Sequence, residues 1–123
     1  MTNLKLGVFC LLFVACSSDQ LDLKNFDEAK WQADEFGCNH ARLEMIDDLK
    51  SVKDKLKGLN QNEVTELLGK PERHELYKRS QKFFYYQISP DESCSKPSVE
   101  DIYLSIRFNA TGLAKEVIIM NYQ

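Results

Sequence analysis

At Gly69-Lys70-Pro71 the chain changes its period, and that change restricts the fold more than any other feature of the sequence. Upstream, apolar residues recur at helical intervals: Met45, Leu49, Val52 and Leu56 are spaced four, three and four apart, and Ile46 widens the stripe. Glu44, Asp47, Asp48 and several lysines occupy the opposite side. Just before the break, Asn60 and Glu63 have the spacing of a capping box variant, and Leu59 and Val64 that of a hydrophobic staple. Leu67 and Leu68 continue the buried side. Gly69 can take the left-handed conformation that ends a helix, and Pro71 forbids continuation. Downstream the period is two: Ile102, Leu104, Ile106 and Phe108 alternate with Tyr103, Ser105 and Arg107, the pattern of a half-buried strand. Helices on one side of a break and strands on the other define an α+β chain.

The local signals predict helices over 26–37, 40–56 and 60–68. The first would be capped by Asn25, with Asp27 and Glu28 in its first turn and Gly37 after its end. Strands are predicted over 73–78, 82–88, 102–108 and 117–122. A turn at 79–81, a Pro- and Ser-rich loop at 89–99 and a hairpin turn at 109–112 separate them. The expected architecture is N-terminal helices packed on a three- to four-stranded antiparallel meander sheet. In the aromatic strand, Phe84, Tyr86 and Ile88 line one face while Phe83 and Tyr85 line the other, which Tyr103, Ile118 and Met120 extend. A sheet covered on one side needs apolar residues on that side only. Two readings of the second face follow. Phe83, Tyr85 and Tyr103 form a partner-binding surface, or the helical region 26–56 covers part of it.

The amino terminus carries a different signal. Lys5 precedes an almost wholly apolar run of ten residues, Leu6 to Ala15, which ends at Cys16 and turns polar at Ser17-Ser18-Asp19-Gln20. As a helix the run would reach about 15 Å, half of a ~30 Å hydrocarbon core. A basic start, a short apolar stretch and small Ala15 before Cys16 describe a secretory signal. Phe13 at the third position before the cut suits a lipoprotein-type cleavage better than an ordinary one. The segment resembles a bacterial lipoprotein signal, in which the cysteine is acylated, so 1–15 is expected to be removed and Cys16 to become the lipidated first residue. Several acyl chains anchor firmly where one is marginal. Segment 16–25 then reads as a tether and 26–123 as a single α+β domain. The serines after Cys16 differ from the aspartate retention signal of inner-membrane lipoproteins, so the outer membrane is the expected destination.

Cleavage leaves Cys38 and Cys94, an even pair in an oxidising compartment, and a disulfide between them is predicted. It would close a loop of 57 residues, a constraint of about 4 kcal/mol in the chain-entropy account. The alternatives are free thiols, or a zinc site with His40 and His74, for which the Cys38-x-His40 spacing is too short to fit the usual structural motifs. Beyond Ala15 the chain holds 15 basic and 19 acidic residues, a formal charge of −4, which argues against a nucleic-acid partner. No catalytic constellation is legible. His40 and His74 lie in no catalytic motif, and no serine stands in Gly-x-Ser-x-Gly. The pairs Asp47-Asp48, Asp91-Glu92 and Glu100-Asp101 are adjacent in sequence and so point apart. The expectation is a protein that acts by binding, with no catalytic residue, metal or cofactor.

The stretch Leu59-Asn60-Gln61-Asn62-Glu63-Val64-Thr65-Glu66-Leu67-Leu68-Gly69-Lys70-Pro71 resembles the opening of the SmpA/OmlA family, which includes the outer-membrane assembly lipoprotein BamE. An aromatic strand follows, here Phe83–Tyr86, and later a strand ending in phenylalanine, a turn and glycine, here Ile106 to Leu113. The resemblance covers 59–120 and separates an SmpA/OmlA-like module, 59–123, from a helical extension, 26–58. That extension and the two cysteines stand outside the family pattern. The arrangement also resembles the repeats of β-lactamase inhibitor protein. The family implies a non-catalytic platform that offers a sheet face, loops or edges to a protein partner, in this case outer-membrane assembly machinery. An inhibitor or ligand-binding module using the aromatic face is the alternative.

Overall fold

The computed structural model describes residues 23–122. Strands β1 (Arg73–Tyr77), β2 (Gln81–Gln87), β3 (Asp101–Phe108) and β4 (Ala114–Tyr122) form one antiparallel sheet in sequence order. Helices α1 (Glu28–Ala33), α2 (Ala41–Glu44), α3 (Ile46–Val52) and α4 (Gln61–Leu68) precede it and pack against one face. The fold is therefore a small α+β domain with N-terminal helices on a four-stranded antiparallel sheet.

The break that organises the sequence forms as its residues require. Asn60 Oδ1 accepts from the Glu63 N–H at 2.9 Å and Glu63 Oε1 accepts from the Asn60 N–H at 3.1 Å, which closes the capping box. Gly69 ends α4 with φ +79°, a conformation that glycine adopts without steric cost.

The first two predicted helices are shorter and more broken than the pattern indicated. Asp27, not Asn25, caps α1: its Oδ1 accepts from the Lys30 N–H at 3.1 Å, while Asn25 lies at φ +66°. A 3-10 turn, Glu35–Gly37, follows α1, with φ +59° at Phe36. The 40–56 helix divides at Met45 into α2 and α3 and tightens into a 3-10 turn over Lys53–Leu56. The apolar stripe survives these interruptions, because Met45, Leu49, Val52 and Leu56 are all buried. Leu23, assigned to the tether by sequence, is 2% exposed and belongs to the core.

The core lies between that stripe and alternate residues of the sheet. Trp31, Val64 and Leu68 from the helices meet Tyr86, Leu104, Ile106 and Phe108 from the strands. The Trp31 and Tyr86 rings stand 6.5 Å apart, and Tyr86 donates its hydroxyl proton to the Gly69 carbonyl at 2.8 Å.

Charged groups secure one end of this layer. Arg42 and Glu72 form an ion pair with side chains 1% and 6% exposed. Arg42 Nε donates to the Trp31 carbonyl and Nη1 to the Gln87 carbonyl, both at 2.9 Å, and the guanidinium lies 4.7 Å from the Trp31 ring centroid. Glu72 Oε1 accepts from the Phe36 N–H at 3.0 Å. Asp34, also buried, accepts from the N–H groups of Asn39 and Arg42 at 2.7 and 2.9 Å, which starts α2. Each buried charge therefore has partners, the condition under which such groups are tolerated. Alongside, Gly37 sits so close to the sheet that a Cβ there would lie 2.6 Å from the Ile88 carbonyl oxygen.

Cys38 and Cys94 are joined by a disulfide with Cα atoms 5.3 Å apart, so neither is a free thiol or a zinc ligand. The bridge ties the long β2–β3 loop to the turn before α2. The Asp91 N–H reinforces it by donating to the Phe36 carbonyl at 3.2 Å.

Candidate binding face

The helices leave the second face of the sheet uncovered among the described residues. Alternation places Arg73, Glu75 and Tyr77 of β1 there, with Phe83 and Tyr85 of β2, Tyr103 and Arg107 of β3, and Ile118, Met120 and Tyr122 of β4. The described part of the helical region 26–56 packs on the opposite face of the sheet.

Five rings form a run across all four strands. Tyr77 meets Phe83 edge-on at 5.7 Å, Phe83 stacks on Tyr85 at 5.9 Å, Tyr85 meets Tyr103 edge-on at 5.6 Å, and Tyr103 stacks on Tyr122 at 6.0 Å. These are the separations at which aromatic quadrupoles attract. Phe83, Tyr85 and Tyr103 are half-buried by one another, while Tyr77 and Tyr122 are each 54% exposed. The sequence-predicted partner residues are thus brought together, and Tyr77 and Tyr122 lengthen the surface at both ends.

Arg73 reaches over the middle of the run, with Cζ 5.1 Å from the Tyr85 centroid and 5.3 Å from that of Tyr103. Such a cation–π contact contributes about 0.5–1 kcal/mol at an exposed site. The Tyr85 hydroxyl donates to Glu75 Oε2 at 3.1 Å. Partial burial, with the Glu75 carboxylate second, raises the Tyr85 pKa above its ordinary value; partial burial and then neighbouring Tyr122 do the same for Tyr103. Both phenols therefore stay neutral donors at physiological pH. At the opposite corner Arg107 bridges Gln81 at 2.9 Å and Glu116 at 3.1 Å.

Beside Arg73 the β2–β3 loop encloses a groove of about 340 Å³. Asp91, Glu92, Glu100 and Asp101 line it together with Arg73 and Gln87. The two ends of the loop come together, so the pairs Asp91-Glu92 and Glu100-Asp101, dismissed singly, line one groove. Antiparallel pairing of β2 with β3 brings those ends together, with the Ile88 and Ser89 N–H groups donating to the Ile102 carbonyl at 2.9 and 3.1 Å. Gln87 and Ser89 fix its base: Gln87 Nε2 donates to Asp101 Oδ1 at 2.9 Å, and Ser89 Oγ donates to the Glu100 carbonyl at 2.8 Å.

His40 and His74 are both exposed, the first at φ +62° before α2 and the second on strand β1. Among the described residues no group of three or more His, Cys, Asp or Glu side chains is placed to hold a metal ion, and no helix is long and apolar enough to cross a membrane. Cys16 and the apolar run before it lie outside the described residues.

Fold and face together define a small α+β domain with one closed and one open sheet surface. Comparison with protein-family models, curated proteins and solved structures finds no match to this chain.

Proposed function

We propose that this protein is a BamE-like envelope lipoprotein, anchored in the outer membrane through acylated Cys16, that acts by binding a protein of the outer-membrane assembly machinery rather than by catalysis. The observation that carries this reading is the ring run Tyr77–Phe83–Tyr85–Tyr103–Tyr122 on a sheet face that no described helix covers. Rigid aromatic rings with a polar edge and an overlying arginine are the residue types enriched at protein interfaces. The disulfide fits an oxidising compartment, and the capped helix ending at Gly69 before an aromatic strand fits the SmpA/OmlA-like pattern.

The test is capture of the intact protein from membranes after mild crosslinking, followed by mass spectrometry. The expected result is an acylated Cys16 and co-recovery of β-barrel assembly components. Replacing Tyr85 and Tyr103 with alanine should abolish that co-recovery. Recovery of the unmodified chain alone overturns the proposal. A second reading, a periplasmic inhibitor or ligand-binding module, is favoured by the acidic groove beside the aromatic run; enrichment of a single soluble enzyme in the same capture would decide for it.

A further inference from the structure

The groove at the corner of the open face holds charges of both signs that do not pair. Arg73 lines it together with Asp91, Glu92, Glu100 and Asp101. Among the described residues Arg73 forms an ion pair with none of them. Its guanidinium lies instead over the Tyr85 and Tyr103 rings, 5.1 and 5.3 Å from their centroids. No described oxygen accepts from its side-chain N–H groups, so a strong set of donors is held in place and left unmatched.

The base of the groove carries the complementary lack. Gln87 is 5% exposed. Its backbone is tied to the buried clamp: the N–H donates to Glu72 Oε2 at 3.3 Å and the carbonyl accepts from Arg42 Nη1 at 2.9 Å. Its Nε2 donates to the Ser89 carbonyl at 3.0 Å and to Asp101 Oδ1 at 2.9 Å. Both amide protons are thereby used, and turning the amide over would set Oε1 against two other acceptors. Oε1 accepts from no described group. It is not sealed in, because Trp31 Nε1 is the one fully enclosed side-chain polar atom without a partner among the described residues. A side chain this buried keeps an unmatched acceptor where a donor can reach it, and the space that Gln87 borders is the groove. Beside it, Asp101 Oδ2 and Asp91 Oδ2 also lack a described donor; their Oδ1 atoms are taken by Gln87 and by the Ser93 N–H at 2.6 Å.

We propose that this groove binds a small zwitterion of the amino-acid or short-peptide type. Its ammonium group sits at Gln87 Oε1 and the Asp91 and Asp101 carboxylates, and its carboxylate sits at Arg73. An ammonium brings donors and no acceptor, which matches a wall made of acceptors. A carboxylate takes the parallel N–H groups of a guanidinium in a bidentate contact. An anion alone would meet the carboxylates of Asp91, Glu92, Glu100 and Asp101, and a cation alone would leave the Arg73 donors unmatched. The volume, about 340 Å³, lies at the small end of ligand sites and suits an amino acid or dipeptide. Two rings hold Arg73 and the clamp holds Gln87, so both ends of the site are set before the ligand arrives, which lowers the ordering cost of binding. The inference gives the ligand-binding reading its ligand class and rests on that reading; it needs neither Cys16 nor an assembly partner.

The test is titration of the full-length protein in detergent micelles with glycylglycine, followed by NMR at the Gln87 side-chain amide and the Arg73 Nε resonance. Both signals should shift together and saturate below about 10 mM. N-acetylglycylglycine lacks the ammonium and glycylglycinamide lacks the carboxylate; each should bind at least about tenfold more weakly. Two substitutions, read at the Gln87 amide, separate the ends. Arg73→Gln should weaken glycylglycine at least about tenfold and leave glycylglycinamide unchanged. Asp101→Asn should weaken glycylglycine by a similar factor and leave N-acetylglycylglycine unchanged. Both residues are exposed, and asparagine keeps an oxygen for the Gln87 amide, so the melting temperature should hold. No saturable shift, equal binding of capped and uncapped dipeptides, or losses that do not depend on which end is capped overturns the proposal. Enrichment of a soluble enzyme in the membrane capture without glycylglycine binding would keep the wider ligand-binding reading and overturn this ligand class.

Discussion

The two faces of this sheet are built by alternate residues of the same strands, and both are aromatic. On one, Phe84 is 7% exposed and Tyr86 and Phe108 are fully buried. On the other, Phe83, Tyr85 and Tyr103 are only half-buried, and they shelter one another. Side-chain chemistry does not separate the two sets. The difference comes from the apolar helical stripe and from Arg42 and Glu72, which clamp the helical layer to one side. Aromatic content therefore identifies a strand, while coverage is decided by what else in the chain has an apolar surface to bury.

The strongest way to break that contrast is to remove the clamp. Arg42→Ala strands the Glu72 carboxylate in a buried site and should cost about 3–5 kcal/mol, read from the midpoint of denaturant unfolding. Glu72→Ala should cost a similar amount, and the double variant less than the sum, because the second change relieves the charge left by the first. Additive losses would mean that the two side chains act independently.

Neighbouring residues of β3 give a direct comparison of the faces. Leu104 is fully buried, so Leu104→Ala should cost about 2–5 kcal/mol. Tyr103→Ala, one residue away on the open face, should cost less than about 1 kcal/mol. Equal losses would mean that the open face contributes to the core as much as the closed one.

Alkaline pH gives the smallest and sharpest distinction. Burial raises the Tyr86 pKa, with the Glu72 carboxylate second, and burial also raises those of Tyr85 and Tyr103, which are much less enclosed. A raised value in the folded state means that, above the ordinary phenol value of about 10, the folded protein holds more protons than the unfolded one. Stability is therefore fully present below that pH and falls as pH rises beyond it. Tyr86→Phe should flatten that fall more than Tyr103→Phe, as measured by unfolding midpoints through the alkaline range. Equal flattening would mean that the two phenols are equally shielded.

Much of the site was legible in the residues. Phe83, Tyr85 and Tyr103 were placed on one face by the period of two, and the structure puts Tyr85 and Tyr103 in contact. The Arg42 clamp was missed, although a signal existed: Arg42 stands three residues before Met45 and so continues the stripe at 45, 49, 52 and 56. A charged residue on an apolar stripe calls for a buried counter-charge, and Glu72 directly after Pro71 supplies it. The acidic groove was not legible, because its carboxylates come from opposite ends of a loop and meet only where β2 pairs with β3. The break at Met45 was equally hidden. The apolar spacing suits one continuous helix there, and the interruption appears only where the chain is packed against the sheet.

By itself the sequence determined the α+β class, the order of helices and strands, the capped helix that stops at Gly69, the cysteine pair and the two side-chain sets of the aromatic strand. Each of these depends on residues close in the chain or on parity along a strand, so local sterics and periodicity suffice. Tertiary structure alone decided which sheet face the helices close, where the Arg42–Glu72 pair sits and how the acidic loop folds back. Those outcomes depend on contacts between residues far apart in sequence, whose free energies of burial and pairing no local pattern records.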